Sequence, residues 1–165
     1  IRLRYRLIPY IYSLAGKVTQ ESYTMSRLLA FDFADDARVH DIKDEFMFGP
    51  AFLVCPVTRP MYYDKDSVAL QGVEKTRTVY LPEGTDWGIS GGEKYRGGRD
   101  VKADAPIDKI PLFVRQGSIV PMGPVVQHTG ELSGKELTIV VYPGRDAILA
   151  YFKGLAEERY KGKNG

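Results

Sequence analysis

The sequence predicts a mainly β chain, an antiparallel β-sandwich preceded by a short α/β segment, and three observations carry that prediction. Beyond Gly49-Pro50 the apolar residues fall in short runs, FLVCPV, SVALQGV, TRTVYLP, DVKADAP, PLFVR and SIVPM, separated by glycine, proline and polar turns. Such spacing is that of an antiparallel sandwich. Before it, Leu3, Leu7, Ile11, Leu14 and Val18 recur at intervals of three and four, which places them on one face of a helix. Finally, Ile107 to Pro121 reads as two strands, Ile110 to Arg115 and Ser118 to Val120, on either side of Gln116-Gly117, a pair suited to a turn or bulge.

Taken in order, the first helix runs from Leu3 to about Tyr23, and Pro9 within it should kink it by removing a ladder hydrogen bond. Tyr23 to Phe33 reads as a strand, ADDARVHD as a loop, and Asp41 to Phe48 as a second short helix; Asp41, Asp44 and Glu45 at helical spacing would cap or favour its N-terminus. Sequential pairing of neighbouring strands is the default for the sandwich that follows. SGGEKYRGGRD reads as a hairpin with glycine turns, and Thr58 to Asp66 as a long polar-aromatic loop. In PLFVR, Leu112 and Val114 should share one face while Phe113 and Arg115 take the other. A further boundary is expected near Gly130 to Gly134, after which Glu136 to Tyr142 would pair with Ala147 to Phe152 across Pro143-Gly144-Arg145-Asp146.

Composition narrows the function. A hydrophobic fraction of 44% and a charged fraction of 27% in 165 residues suit one folded domain with a real core and argue against disorder. With a net charge of +2 and dispersed lysines and arginines, nothing suggests a nucleic-acid or anionic-membrane partner. Arg2, Arg4 and Arg6 alternate with tyrosines near the start, but no second basic segment completes a groove. No apolar run has the length of a bilayer span. Cys55 is the single cysteine, so an internal disulfide is excluded and the compartment is left open.

Candidate chemistry is sparse. Asp35 and Asp36 are adjacent, and Asp104 and Asp108 flank Pro106, as solvated or turn carboxylates do. His40 and His128 lie far apart and neither is near Cys55 in sequence, so the paired spacing of a metal site is missing. His40 beside Asp41 has no oriented nucleophile, and the glycines of SGGEKYRGG do not match a phosphate-binding fingerprint. A sugar-stacking surface is the one local alternative: Tyr62, Tyr63 and Trp87 are its candidates, since aromatic faces stack on the C–H faces of sugars. For Trp87 a buried packing role competes with that use.

Four blocks carry a family resemblance. APIDKIPLFVRQGSIVPMGP (Ala105 to Pro124) resembles the C-terminal β-sandwich of glycoside hydrolase family 31, the α-glucosidase and α-xylosidase family, whose members carry a PLD-x-IP-x-FVR-x-GSI-x-P run there. LRYRLIPYIYSLA (Leu3 to Ala15), DIKDEFMFGPAFLVCPV (Asp41 to Val57) and KTRTVYLPEGTDW (Lys75 to Trp87) resemble the same family in the same order. The resemblance implies that residues 1–50 are the end of a (β/α)8 catalytic barrel, 51–130 a proximal C-terminal β-sandwich, and 131–165 the start of an incomplete distal one. It also implies a retaining hydrolase of terminal non-reducing α-linked sugars, with no cofactor, working through a nucleophile and an acid/base carboxylate. Both carboxylates in the family are aspartates on barrel strands ahead of the first residue here, so no catalytic residue is assigned to this chain. We therefore expect a fragment of a longer enzyme, inactive alone, that meets carbohydrate only through the missing barrel. A non-catalytic carbohydrate-binding or structural β-sandwich is the alternative. The loop MYYDKDSV favours α-xylose over α-glucose by resemblance.

Overall fold

Strand pairing gives the segment Ser26–Arg115 its frame. The computed structural model describes residues 1–89, 92–132 and 134–144. Within the segment lie β1 (Ser26–Leu28), β2 (Phe46–Phe48), β3 (Phe52–Val54), β4 (Thr76–Leu81), β5 (Asp86–Ile89), β6 (Lys94–Arg96), β7 (Arg99–Asp104) and β8 (Leu112–Arg115). Six of them form one antiparallel sheet in the order β1-β2-β3-β8-β5-β6, and β4 pairs with β7 in a second. The order departs from simple neighbour pairing: β8 inserts between β3 and β5, with Leu53 opposite Phe113 and Gly88 opposite Val114. Met47, Leu53, Trp87 and Phe113 of the large sheet share one buried cluster with Val79, Leu81 and Ala103 of the β4–β7 ribbon. Phe113 and Val114 are both buried, so β8 is covered on both faces and does not alternate as its residue pattern suggested.

Local departures from the expected elements have identifiable causes. Of the strand expected over Tyr23 to Phe33 only Ser26–Leu28 pairs; Leu29–Asp32 turns helical as α3. The turn buries Leu29 and brings Asp32 back to Arg27, 3.0 Å from its Nε. Next, Ala37–Asp41 forms a 3-10 turn whose N-cap is Asp36, accepting from the Arg38 amide at 3.1 Å. The short helix expected over Asp41 to Phe48 does not form, and Phe46–Phe48 pairs with β1 and β3 instead. Asp44 and Glu45 have tertiary partners, described below, rather than the amides of their own turn. Since β2 pairs with β3, the strands on either side of residue 50 belong to one sheet.

The connection from β6 to β7 needs glycine. Gly97 donates to Thr85 O at 3.1 Å and Gly98 to Leu81 O at 2.8 Å. A Cβ on Gly97 would run into the carbonyl oxygens of Pro82 and Thr85, and Gly98 has φ +78°.

The second compact unit joins Ile1–Met25 to the chain from Gln116 on. Instead of one kinked helix it holds α1 (Arg2–Arg6) and α2 (Ile8–Glu21), broken at Leu7. Pro9 lies in the first turn of α2, where a missing N–H costs no helical bond. Tyr10 and Leu14 are buried, and the Gly123 amide donates to Arg6 O at 2.8 Å. β9 (Ile119–Met122) pairs antiparallel with β10 (Thr138–Val141), Pro121 opposite Ile139. Proline is tolerated inside β9 because a two-stranded ribbon leaves alternate amides unpaired. The strands before and after Gly130 to Gly134 thus pair with each other, and the expected partner Ala147 to Phe152 lies outside the described residues.

Two glycines separate steric from conformational roles. Gly97→Ala should lower the unfolding midpoint by overpacking, a cost of about 1–3 kcal/mol. Gly16 lies inside α2, where an added Cβ would meet nothing within 4 Å. It should respond oppositely, Gly16→Ala stabilising by about 0.5–1 kcal/mol. Thermal unfolding followed by circular dichroism checks both signs.

Candidate functional sites

The aromatic loop is a small, tied hairpin. Tyr63 and Ala69 form an antiparallel bridge, the Leu70 amide donates to Tyr62 O at 2.8 Å, and Asp64 Oδ1 accepts from the Asp66 and Val68 amides at 2.9 Å each. Lys75 anchors its base: the ammonium bonds to Met61 O and lies 4.3 Å from the Tyr62 ring centroid. Tyr62 is half-buried under that cation, while Tyr63 is 59% exposed. Trp87 is 0% exposed, so it is removed from any stacking surface built on Tyr62 and Tyr63. Its Nε1–H donates to Pro82 O at 3.0 Å and its ring lies 5.7 Å from Phe33. The competing packing role is the one it takes, because a strand residue facing the shared cluster has no path to solvent.

Two carboxylates, expected from the sequence as a solvated aspartate and a helix-capping glutamate, are instead buried and organise the polar interior of Ser26–Arg115. Asp36 accepts from the Tyr80 hydroxyl at 2.8 Å, the Glu83 amide at 2.9 Å and the Arg38 amide at 3.1 Å. Burial pushes its pKa up, but these three donors and the Arg38 charge outweigh burial and hold it below the ordinary aspartate value. Tyr80 responds in the other direction, pushed up to about 12 by burial and by its bond to Asp36. Arg38 closes the group, stacking 4.0 Å from the Tyr80 ring centroid and pairing with both oxygens of Asp100 at 2.8 and 3.0 Å.

Glu45, 5% exposed, is the second. Its Oε1 accepts from the Tyr80 amide at 3.0 Å and lies 3.4 Å from Arg77 Nη2. That nitrogen also reaches Asp44 O at 2.9 Å and Asp44 Oδ2 at 3.1 Å. A sequence signal for this arrangement exists in TRTVYL, where Arg77 shares the inward face with Val79 and Leu81. A buried arginine on a strand face requires an acceptor opposite it.

Neither carboxylate is arranged for glycosidic cleavage, which needs a close pair facing an open sugar site from two sides. Asp44 and Glu45 both face a buried arginine, and Asp36 is saturated with donors. Asp35, Asp104 and Asp108 are exposed. His40 sits 3.2 Å from Ala34 O and His128 3.5 Å from Glu131; Cys55 is fully buried, and burial raises its thiol pKa far from the reactive range. Among the described residues no group of three His, Cys, Asp or Glu is placed to hold a metal ion. What the arrangement does is join secondary structure: Asp36 ties the 3-10 turn to β4, and Glu45 ties the approach to β2 to the same strand.

Residues 22–120 match the C-terminal domain of glycosyl hydrolase family 31. Over 99% of its length the chain is 38% identical to an α-xylosidase of Saccharolobus solfataricus, and it spans only 21% of that protein. It is 27% identical over 92% of its length to an α-glucosidase of Bacillus thermoamyloliquefaciens, spanning 18% of it. Among solved structures, an α-xylosidase of Xanthomonas citri superposes with a TM-score of 0.76 at 46% identity, over 87% of this chain and 14% of that one. A Flavobacterium johnsoniae dextranase complexed with glucose superposes with a TM-score of 0.73 at 32% identity, over 87% of this chain and 16% of that one.

The Asp36 network gives a pH signature. Because the native pKa lies below the unfolded value, its contribution is complete above about pH 4 and is lost as pH falls through the native value. Asp36→Asn leaves one of the three donors without an acceptor and should cost about 1–3 kcal/mol at neutral pH. It should also flatten the acid limb of the stability profile, which urea unfolding at neutral and acid pH reads directly.

Proposed function

Because the chain belongs to glycosyl hydrolase family 31, its residues 22–120 lying in that family's C-terminal domain, we propose that it is the C-terminal part of a retaining α-glycosidase and supports the catalytic barrel without catalysing. The whole enzyme hydrolyses terminal non-reducing α-linked sugars, as an α-xylosidase or α-glucosidase. One observation carries this reading: nearly the entire chain aligns with an α-xylosidase while covering 21% of it. The buried carboxylates agree with it, since Asp36 and Glu45 are spent on holding strands. On this reading α1 and α2, ahead of residue 22, are the end of the (β/α)8 barrel. α-Xylose is favoured as substrate by the α-xylosidases among the relatives.

A second reading is favoured by the exposure of Tyr63 on a tied hairpin: the loop as a carbohydrate contact, with Tyr62 and Tyr63 and without Trp87. The two readings separate cleanly. Purified chain should give no turnover of aryl α-xylosides or α-glucosides above buffer, and measurable turnover would overturn the support role. Tyrosine ring signals titrated with xyloglucan oligosaccharides should stay unmoved if the loop is only structural. A saturable shift lost in Tyr63→Ala would establish the contact.

A further inference from the structure

We propose that Asp44, Glu45 and Arg77 form a proton-operated latch that fastens the approach to β2 to strand β4, tight with Glu45 protonated and loosened when it ionises. The geometry is a competition. Arg77 offers a single nitrogen, Nη2, to three acceptors: Asp44 O at 2.9 Å, Asp44 Oδ2 at 3.1 Å and Glu45 Oε1 at 3.4 Å. Among the described residues its Nε and Nη1, and Glu45 Oε2, are buried without a partner. One guanidinium therefore faces two carboxylates, and the closer of them is Asp44, which is half in solvent. With Asp44 matching the arginine charge, a second negative charge on Glu45 would be buried and unmatched, a costly arrangement. Placing a proton on Glu45 removes that charge and keeps both the Tyr80 amide bond to Oε1 and the Asp44–Arg77 pair.

The groups that face Glu45 agree. Burial is the largest influence and pushes its pKa up, the Tyr80 amide and Arg77 pull it down and Asp44 pushes it up, with the balance at about 7. Cys55, also fully buried beside this cluster, stays neutral and adds no charge. The native state thus holds a proton that the unfolded chain, at the ordinary glutamate value of 4.5, has released. Stability is then fully present on the acid side and declines as pH rises from there through 7. This is opposite in sign to the Asp36 network on the same strand, so the two bracket a mildly acidic optimum for Ser26–Arg115.

The test is made on the full chain with 13C-labelled glutamate carboxyls. The Glu45 carboxyl should titrate near neutrality. Hydrogen-exchange protection of the Tyr80 amide, corrected for intrinsic rate, should fall between about pH 5.5 and about pH 8.5, on either side of that midpoint. Glu45→Gln should hold the acid-side protection at both pH values. Asp44→Asn should move the Glu45 midpoint down by about one unit, a tenfold change in proton affinity, because Glu45 is then the one carboxylate matched to the Arg77 charge. A Glu45 midpoint in the ordinary carboxylate range, an unmoved midpoint in Asp44→Asn, or unchanged pH dependence in Glu45→Gln would each overturn the latch. Should Glu45→Gln fail to fold, the wild-type and Asp44→Asn titrations still decide.

Discussion

Everything in Ser26–Arg115 depends on β8 finding its slot between β3 and β5. The slot is closed by backbone bonds at both ends, Cys55 N–H to Pro111 O at 3.1 Å and Arg115 N–H to Ala51 O at 2.8 Å. The chain between β3 and β8 is an excursion that must return, and its closure costs entropy before any contact repays it. Apolar burial offsets that cost: Phe113 enters the cluster from β8, Trp87 from β5 and Leu53 from β3. Without β8 the large sheet would separate into a β1-β2-β3 piece and a β5–β6 hairpin.

The ribbon β4–β7 completes this frame from the opposite side, and its polar ties are made by β4. Tyr80 uses both ends, its amide on Glu45 and its hydroxyl on Asp36, so one residue couples the apolar cluster to both buried carboxylates. This explains why acidic residues that invite a catalytic reading in a glycoside hydrolase chain are here occupied by structure. A carboxylate surrounded by main-chain donors or set against a buried arginine cannot also serve an incoming sugar. The proposed function accommodates this use: on that reading the segment supports the barrel, and Asp36 and Glu45 hold its strands together.

Much of the frame could be read from residues alone, and the gaps have physical reasons. TRTVYLP, PLFVR and SIVPM became strands because alternation and bounding prolines are local signals, and Gly97-Gly98 marked a turn because its backbone geometry is local too. The insertion of β8 was not legible: pairing order is decided by long-range fit, which short strands of similar length do not encode. Asp41, Asp44 and Glu45 mimicked a helix N-terminus because their spacing says nothing of Arg77, more than thirty positions on, which claims two of them. Trp87 illustrates the same limit, since a lone aromatic beside glycines reads equally as platform or core until its neighbours are placed. Arg77 on the face of Val79 and Leu81 was the one available hint that buried charge lay opposite.

The claim that this segment is a self-supporting frame closed by β8 meets its most direct test in native-state hydrogen exchange of the purified chain under increasing denaturant. The Cys55 and Arg115 amides, which flank the slot, should exchange only through global unfolding, while amides of the edge strands β1 and β6 open at lower free energy. Exchange of Cys55 and Arg115 as fast as that of the edges would contradict the account, because β8 would then be a late attachment rather than the closure on which the sheet rests.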